Sequence, residues 1–98
     1  MRAVKKLLVW ILASSVGGFN RARILQELIK KPRNANELAT ILDLNYKTTR
    51  HHIRVLEKNF LITSMGKGYG KIYFPSNLLE ENMHLFKEIW GDLSKKDK

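Results

Sequence analysis

The chain has 98 residues, with 18 Lys and Arg against 9 Asp and Glu, and carries a net charge of +9 at pH 7. A chain of this length forms one domain with little room for a deep active-site cleft, and its 44% hydrophobic content excludes a disordered basic tail. Cysteine is absent, which excludes disulfides, thiol nucleophiles and thiolate metal sites and leaves the cytoplasm as the expected location.

The positive charge is unevenly distributed along the chain. Residues 1–35 carry a net +7, residues 36–76 a net +3 and residues 77–98 a net −1. A basic surface of this strength indicates a polyanionic partner such as nucleic acid. The C-terminal quarter lacks this charge, so we expect it to have a different partner.

The first predicted element is a helix from Arg2 to Ser15, ended by Gly17 and Gly18. Its basic start and the apolar run that follows also resemble a secretory signal, which is the alternative interpretation. The run is too short to span a bilayer, which takes about 20 apolar residues, and no membrane association is expected. Apolar side chains surround nearly the whole helix, so it is expected to be covered from two directions.

Three further helices are predicted in the centre of the chain. The first runs from Asn20 to about Lys31, and the second begins after an Asn36 N-cap. A break of three residues, 43–45, precedes the third helix, which Asn45 caps. Two short helices joined by so tight a turn predict a helix-turn-helix motif.

The third of these helices, from Tyr46 to about Asn59, has two different faces at 100° per residue. The face assigned to the core comprises Thr49, His52, Ile53 and Leu56. The outward face is almost entirely cationic and comprises Lys47, Arg50, His51, Arg54 and Lys58. A solvated helix surface is the alternative, but the position directly after the turn favours insertion into the major groove of DNA.

Two β-prone runs follow, residues 60–65 and 71–75, on either side of a glycine-rich tip. They predict a β-hairpin that Pro75 ends. The tip places Tyr69 between Lys67 and Lys71, a composition that turn geometry and solubility would also explain. Beside a helix-turn-helix motif we interpret the hairpin as a wing.

The segment TTRHHIRVLEKNFLI, from Thr48 to Ile62, resembles the recognition helix and following strand of ArsR-type winged-helix transcriptional regulators. The resemblance covers roughly Asn20 to Phe74, and the segments RARILQEL and GYGKIYF are most similar to small archaeal members. It implies that the recognition helix and wing bind DNA. The residues expected to contact DNA are Tyr46, Lys47, Thr48, Arg50, His51, Arg54, Lys58, Lys67, Tyr69 and Lys71.

The chain also departs from that family. Metal-sensing members carry cysteines in the helix that here reads ELATILDL, so a thiolate sensor is excluded. Other members place metal ligands on the C-terminal helix, where Glu80, His84 and Glu88 share a face at four-residue spacing that could bind Zn²⁺ together with a partner chain. A solvated face with weak pairs is the commoner explanation of that spacing. We expect neither a metal nor another cofactor.

The last helix is predicted from a cap at Ser76 or Asn77 to about Leu93, with one wide apolar stripe. Together with the N-terminal helix it carries more apolar surface than one small core readily hides, which predicts a homodimer. The expected interface residues are Leu7, Trp10, Ile11, Phe86, Ile89, Trp90 and Leu93. Such a dimer would present two recognition helices about 34 Å apart to a pseudo-palindromic DNA site.

No catalytic pattern is found: the serines lack a triad arrangement, and the loop from Gly66 to Gly70 does not precede a helix. The protein is therefore expected not to be an enzyme. The predicted fold is mainly α with a small β-hairpin (α+β), a winged helix-turn-helix with additional N- and C-terminal dimerisation helices. Residues 1–98 form a single domain with an N-terminal helix (1–18), a winged-helix core (19–76) and a C-terminal helix (77–98).

The predicted function is sequence-specific binding of double-stranded DNA by a transcriptional regulator, with the wing on the flanking backbone or minor groove. The alternative is a winged-helix module for nonspecific nucleic-acid binding or for protein interaction, because the fold alone does not determine function. If the protein is a sequence-specific regulator, the Arg50→Ala variant is expected to lose sequence specificity. Lys67→Ala is expected to lower the affinity for all sequences alike.

Overall fold

The computed structural model describes residues 2–96, which form six α-helices and three short strands. The helices are α1 (Arg2–Leu8), α2 (Gly18–Lys30), α3 (Ala35–Leu42), α4 (Tyr46–Lys58), α5 (Asn77–Glu81) and α6 (Met83–Lys96). The strands are β1 (Arg33–Asn34), β2 (Ile62–Met65) and β3 (Ile72–Pro75). None of the helices within residues 2–96 is long and apolar enough to cross a bilayer.

The N-terminal helix is not regular throughout. After Leu8 the α-helix passes into a π-helical segment, Val9–Ser14, so the predicted helix has the right extent but a different geometry. Leu12 and its neighbours on the inner side are buried, whereas Trp10 on the outer side is 62% exposed. Within a single chain, therefore, only the inner side of this helix is covered, whereas the sequence predicted cover on two sides.

The caps of the central helices are formed by asparagines. Asn45 caps α4 as predicted, and its side-chain oxygen accepts hydrogen bonds from the backbone N–H groups of Lys47 (2.8 Å) and Thr48 (3.2 Å). The N-cap of α3 is Asn34, and the predicted Asn36 cap is wrong. Asn34 stands three residues before Glu37, which allows the reciprocal pair of hydrogen bonds of a capping box, both 2.8 Å long.

The turn between α3 and α4 confirms the predicted helix-turn-helix motif. Asp43 adopts a left-handed backbone conformation with φ of 55°, and the backbone N–H of Leu44 bonds back to the Ala39 carbonyl at 2.9 Å. This hydrogen bond and the left-handed residue Asp43 terminate α3 directly after Leu42. The chain then turns directly into the capped start of α4.

The wing is part of a three-stranded antiparallel sheet in the order β1-β3-β2. Ser64 of β2 and Arg33 of β1 both pair with Tyr73 of the central strand. The sequence predicted only the hairpin, since the two residues of β1 are too few to show a strand pattern. A 3-10 turn, Gly68–Gly70, forms the tip.

The predicted C-terminal helix is divided at Asn82, which separates α5 from α6. The side-chain amide of Asn82 donates to the Leu78 carbonyl at 2.9 Å and so competes with the helical backbone hydrogen bonds. Ser76 caps α5 through a hydrogen bond from the Leu79 N–H, as predicted.

The core contains much of the apolar surface that the sequence suggested for dimerisation. Ile11, Phe86 and Ile89, which the sequence predicts at an interface between chains, are buried within a single chain. Trp90 is half-buried and stacks on Phe19 and Phe86, with ring centres 5.9 and 6.4 Å away. The helices therefore pack their apolar stripes mainly against one another.

Candidate nucleic-acid interface

Helix α4 follows the helix-turn-helix turn and has the two faces that the sequence predicted. The four residues assigned to its core side are all buried: Thr49, His52, Ile53 and Leu56. On the opposite side the exposed residues are Lys47, His51, Arg54 and Lys58. Tyr46 and Thr48, at the beginning of the helix, are exposed as well.

The exposed cations of α4 form no ion pair with any acidic group of residues 2–96. The ion pairs found among residues 2–96 join Lys5 to Glu88 and join Lys30 and Arg33 to Glu27, all outside this helix. The outward face of α4 is therefore free to attract an anionic partner.

Arg50 differs from the other cations of α4. It is half-buried, and its Nη1 atom donates a hydrogen bond to the hydroxyl of Tyr73 at 2.8 Å. The side chain is thus directed along the flank of the helix toward the sheet. The sequence grouped it with the outward face because helical angles do not reveal a partner on a strand 23 residues away.

The wing lies beside this flank of α4. Lys67 and Tyr69 are exposed at its tip, Tyr69 to 88%, while Lys71 is half-buried. Gly66 and Gly68 have φ values of 97° and 58°, which glycine adopts without strain. An open cleft of about 370 Å³ separates the wing from the beginning of α4, and it is lined by Tyr46, Arg50, Gly68, Tyr69 and Lys71.

Below the recognition helix lies a buried arginine that the sequence pattern indicated only as surface charge. Arg21 is 4% exposed, and its Nε donates to the Ile11 carbonyl at 3.0 Å. Nη2 donates to the Ser15 hydroxyl (2.6 Å) and to the Val16 carbonyl (3.2 Å), and Nη1 donates to Nδ1 of His52 (3.2 Å). Arg21 therefore connects the π-helical segment and the loop after it with the recognition helix.

Helical spacing contained evidence for this burial. Arg21 stands three, four and seven residues before Ile24, Leu25 and Leu28, which form the buried face of α2. Since an arginine only donates hydrogen bonds, Nδ1 of His52 must be an unprotonated acceptor. His52 is thus a packing residue, as the sequence predicted, and is neutral in this arrangement.

Burial lowers the pKa of His52 below its ordinary value, and the charges of Arg21 and His51 lower it further. Burial also lowers the pKa of Arg21. The folded protein therefore disfavours a proton on His52, because protonation would remove the acceptor for Arg21 and place a second positive charge beside it.

We expect the fold to lose stability when the pH falls from 7 to about 5. The unfolded chain takes up the His52 proton near pH 6.5, whereas the folded chain does so only at lower pH. The stabilising contribution is therefore complete above about pH 6.5 and is lost as the pH falls through the folded-state pKa. Urea denaturation at the two pH values measures this change.

His52→Asn is the variant that isolates this effect, because its amide oxygen offers an acceptor close to the position of Nδ1 and does not titrate. We expect it to lose most of the pH dependence of the urea midpoint. His84→Asn removes an exposed histidine of α6 and should keep that dependence. Equal pH dependence in His52→Asn and the wild type would contradict the assignment.

The spacing considered for a metal site is interrupted in the fold. Asn82 separates Glu80 on α5 from His84 and Glu88 on α6. Within residues 2–96 no group of three His, Cys, Asp or Glu side chains is close enough to hold a metal ion.

Residues 20–64 match a protein family described as a helix-turn-helix domain, and these residues extend from α2 through the recognition helix into β2. With the antiparallel sheet behind it, the fold is a winged helix-turn-helix, which confirms the predicted fold class. No curated protein matches the chain.

Solved structures of winged-helix proteins are similar to this chain. The homodimeric winged helix-turn-helix DNA-binding domain of a possible ArsR-family regulator from Mycobacterium bovis has a TM-score of 0.69 at 19% identity, over 97% of this chain and 86% of that one. The transcriptional regulator HlyU from Vibrio vulnificus has a TM-score of 0.62 at 16% identity, over 98% and 88%. Staphylococcus aureus MarR has a TM-score of 0.66 at 21% identity, over 98% and 65%.

Proposed function

We propose that this protein is a transcriptional regulator of the ArsR type that binds double-stranded DNA and recognises its sequence. The observation that carries the proposal is the exposed cationic face of α4, without acidic partners among residues 2–96, directly after the helix-turn-helix turn. The resemblance of its sequence segments supports a small archaeal type within that class.

In this proposal α4 enters the major groove with its outward face toward the bases. Phosphates attract the positive charge, and the exposed guanidinium and imidazole groups reach the base edges. Arg54, Lys47 and His51 stand opposite the buried side and are the proposed base-reading residues. Lys67 and Tyr69 would place the tip of the wing on the flanking backbone or minor groove.

We further propose that the protein acts as a homodimer through the outer side of its N-terminal helix. Trp10 lies there beside Val9, and its large apolar side chain is mostly exposed. Of the other predicted interface residues, those that retain exposed surface are Leu7, Trp90 and Leu93. The similar Mycobacterium bovis domain is described as homodimeric.

A two-fold dimer would place two recognition helices on a pseudo-palindromic site, with the protein located in the cytoplasm where that DNA is. Sedimentation at micromolar concentration should give twice the chain mass of 11.4 kDa. A mass of one chain under these conditions would contradict the dimer.

The function is tested by enriching binding sites from random duplexes and comparing the affinity for an enriched duplex with that for random DNA. We expect a ratio of about 10³ or more. Arg54→Gln should lower this ratio about 5- to 160-fold, because one base contact contributes roughly 1–3 kcal/mol of discrimination. Lys87→Gln is the control, since it removes an exposed charge from α6 and should leave the ratio unchanged.

Two results would contradict the proposal in different ways. A ratio near one for the wild type would identify a nonspecific nucleic-acid module, which is the alternative function. If the protein bound no duplex, DNA binding would be excluded as its function, and a protein-interaction module on the same fold would be favoured.

A further inference from the structure

The cleft between α4 and the wing has the chemistry of an anion site. Its side chains are two cations, Arg50 and Lys71, and two tyrosines, Tyr46 and Tyr69, and no carboxylate of residues 2–96 lines it. Its volume of about 370 Å³ exceeds that of one phosphate group, and the cleft is open to solvent. An anion could therefore enter without any rearrangement of the backbone.

The position of Arg50 in this cleft is determined by the sheet. Tyr73, which accepts its hydrogen bond, is 1% exposed and lies in the central strand, held by β1 on one side and β2 on the other. The hydroxyl is neutral, so this bond orients the guanidinium and leaves its charge uncompensated. The remaining N–H groups of Arg50 are available to a ligand.

Lys71 approaches the same tyrosine from the wing. Its ammonium nitrogen lies 5.9 Å from the centre of the Tyr73 ring, so two positive side chains converge on one neutral residue. Like charges held near each other are unfavourable unless an anion lies between or beside them. A guanidinium, an ammonium and phenolic hydroxyls together supply donors from several directions, which suits the oxygens of a phosphate group.

We propose that this cleft seats one backbone phosphate of the bound DNA, with Arg50 as its principal ligand and Lys71 as its second. The inference rests on the proposed function and divides the cations of α4 between two tasks. Arg50 holds the backbone and sets the position of the helix, and the outward residues read the bases. This assignment replaces the role in sequence specificity that the helical pattern suggested for Arg50.

The test compares Arg50→Gln and Tyr73→Phe with the wild type on an enriched and a random duplex, across salt concentrations. Arg50→Gln should weaken both complexes by the same factor, about 10-fold at low salt, and lower the salt slope by about one. Tyr73→Phe retains the charge of Arg50 but removes the hydroxyl that orients its guanidinium group. It should weaken both complexes a few-fold and leave the salt slope unchanged. Lys87→Gln again serves as the control for the loss of a distant charge.

A second measurement identifies the phosphate directly. Duplexes with a single neutral methylphosphonate, moved one position at a time, should bind the wild type less tightly at every contacted phosphate, and one of these positions in each half-site should be the phosphate in the cleft. Arg50→Gln should be insensitive to the replacement at that position. Melting curves of both variants verify that they are folded.

The outcomes separate this inference from the proposed function. A wild type that binds no duplex defeats the proposed function itself. If the wild type binds specifically and Arg50→Gln abolishes the preference for the enriched duplex, Arg50 contacts bases. That result would overturn the proposed phosphate site. An unchanged salt slope in Arg50→Gln overturns it as well. Titration with inorganic phosphate distinguishes the remaining source: tight, Arg50-dependent binding without DNA would assign the cleft to a free anion instead.

Discussion

Gly18→Ala is expected to destabilise the fold by about 3 kcal/mol, the upper part of the usual range for overpacking a core. A Cβ atom at this position would overlap the carbonyl oxygen of Leu12 and would lie 2.7 Å from its carbon and 3.2 Å from the Ile11 oxygen. All three are backbone atoms of the π-helical segment and cannot rotate away. Either this segment or the start of α2 must move, and Leu12 is buried.

Urea denaturation at 25 °C measures this change, and Gly91→Ala is its matched control. Nothing lies within 4 Å of a Cβ atom added at Gly91, in the middle of α6. Alanine should stabilise the helix there by roughly 0.5–1 kcal/mol, so the two identical substitutions are expected to have opposite signs. A Gly18→Ala variant as stable as the wild type would show that the helix and the π-helical segment do not approach so closely.

Arg21→Ala is expected to cost about 4 kcal/mol, a large part of the 5–15 kcal/mol that typically stabilises a domain. The truncation removes the Arg21 donor from the Ile11 carbonyl and from Nδ1 of His52, which are buried contacts, and from the part-buried Val16 carbonyl and Ser15 hydroxyl. The Ile11 carbonyl keeps a hydrogen bond from the Ser15 hydroxyl at 3.2 Å. Each unsatisfied acceptor costs about 1–3 kcal/mol, and water entering the space left by the side chain recovers a part of the sum.

Arg23→Ala, two residues further along α2, is the comparison for this loss in urea denaturation. Its guanidinium is half-buried and donates to the Asn20 side chain and to the Leu42 carbonyl, both at 2.9 Å. We expect it to cost about 1 kcal/mol, since water can replace the lost donors. A smaller loss for Arg21→Ala than for Arg23→Ala would contradict the central role of the buried network.

The parts of the fold that were predicted correctly depend on interactions between near neighbours. Asn45 caps α4 through backbone groups two and three residues away, and the buried face of that helix follows from its 3.6-residue period. Such features are determined by a few consecutive residues. The sequence therefore suffices to predict the turn and the two faces of the recognition helix.

The errors have two origins, and the first of them is also local. Asn36 and Asn34 are both suitable caps in composition, and only the partner three residues later, Glu37, decides for Asn34. The apolar stripes of the N- and C-terminal helices predicted contact but not whether the partner was the same chain or another. Phe86 and Ile89 are buried within one chain, whereas Trp10 remains exposed, and no periodicity distinguishes these outcomes.

The sequence by itself determined the helix-turn-helix segment, its cationic outward face and the wing, because capping, periodicity and turn residues act over a few positions. Only the tertiary structure decided which of the cationic side chains are held by hydrogen bonds to distant residues and which are exposed to solvent. Arg50 is bound to a tyrosine 23 residues away and Arg21 to a histidine 31 residues away. Both contacts depend on packing between elements that are distant in the sequence. As a result, two of the eighteen basic residues do not belong to the general basic surface: Arg50 lies at the flank of α4, and Arg21 lies buried against that helix.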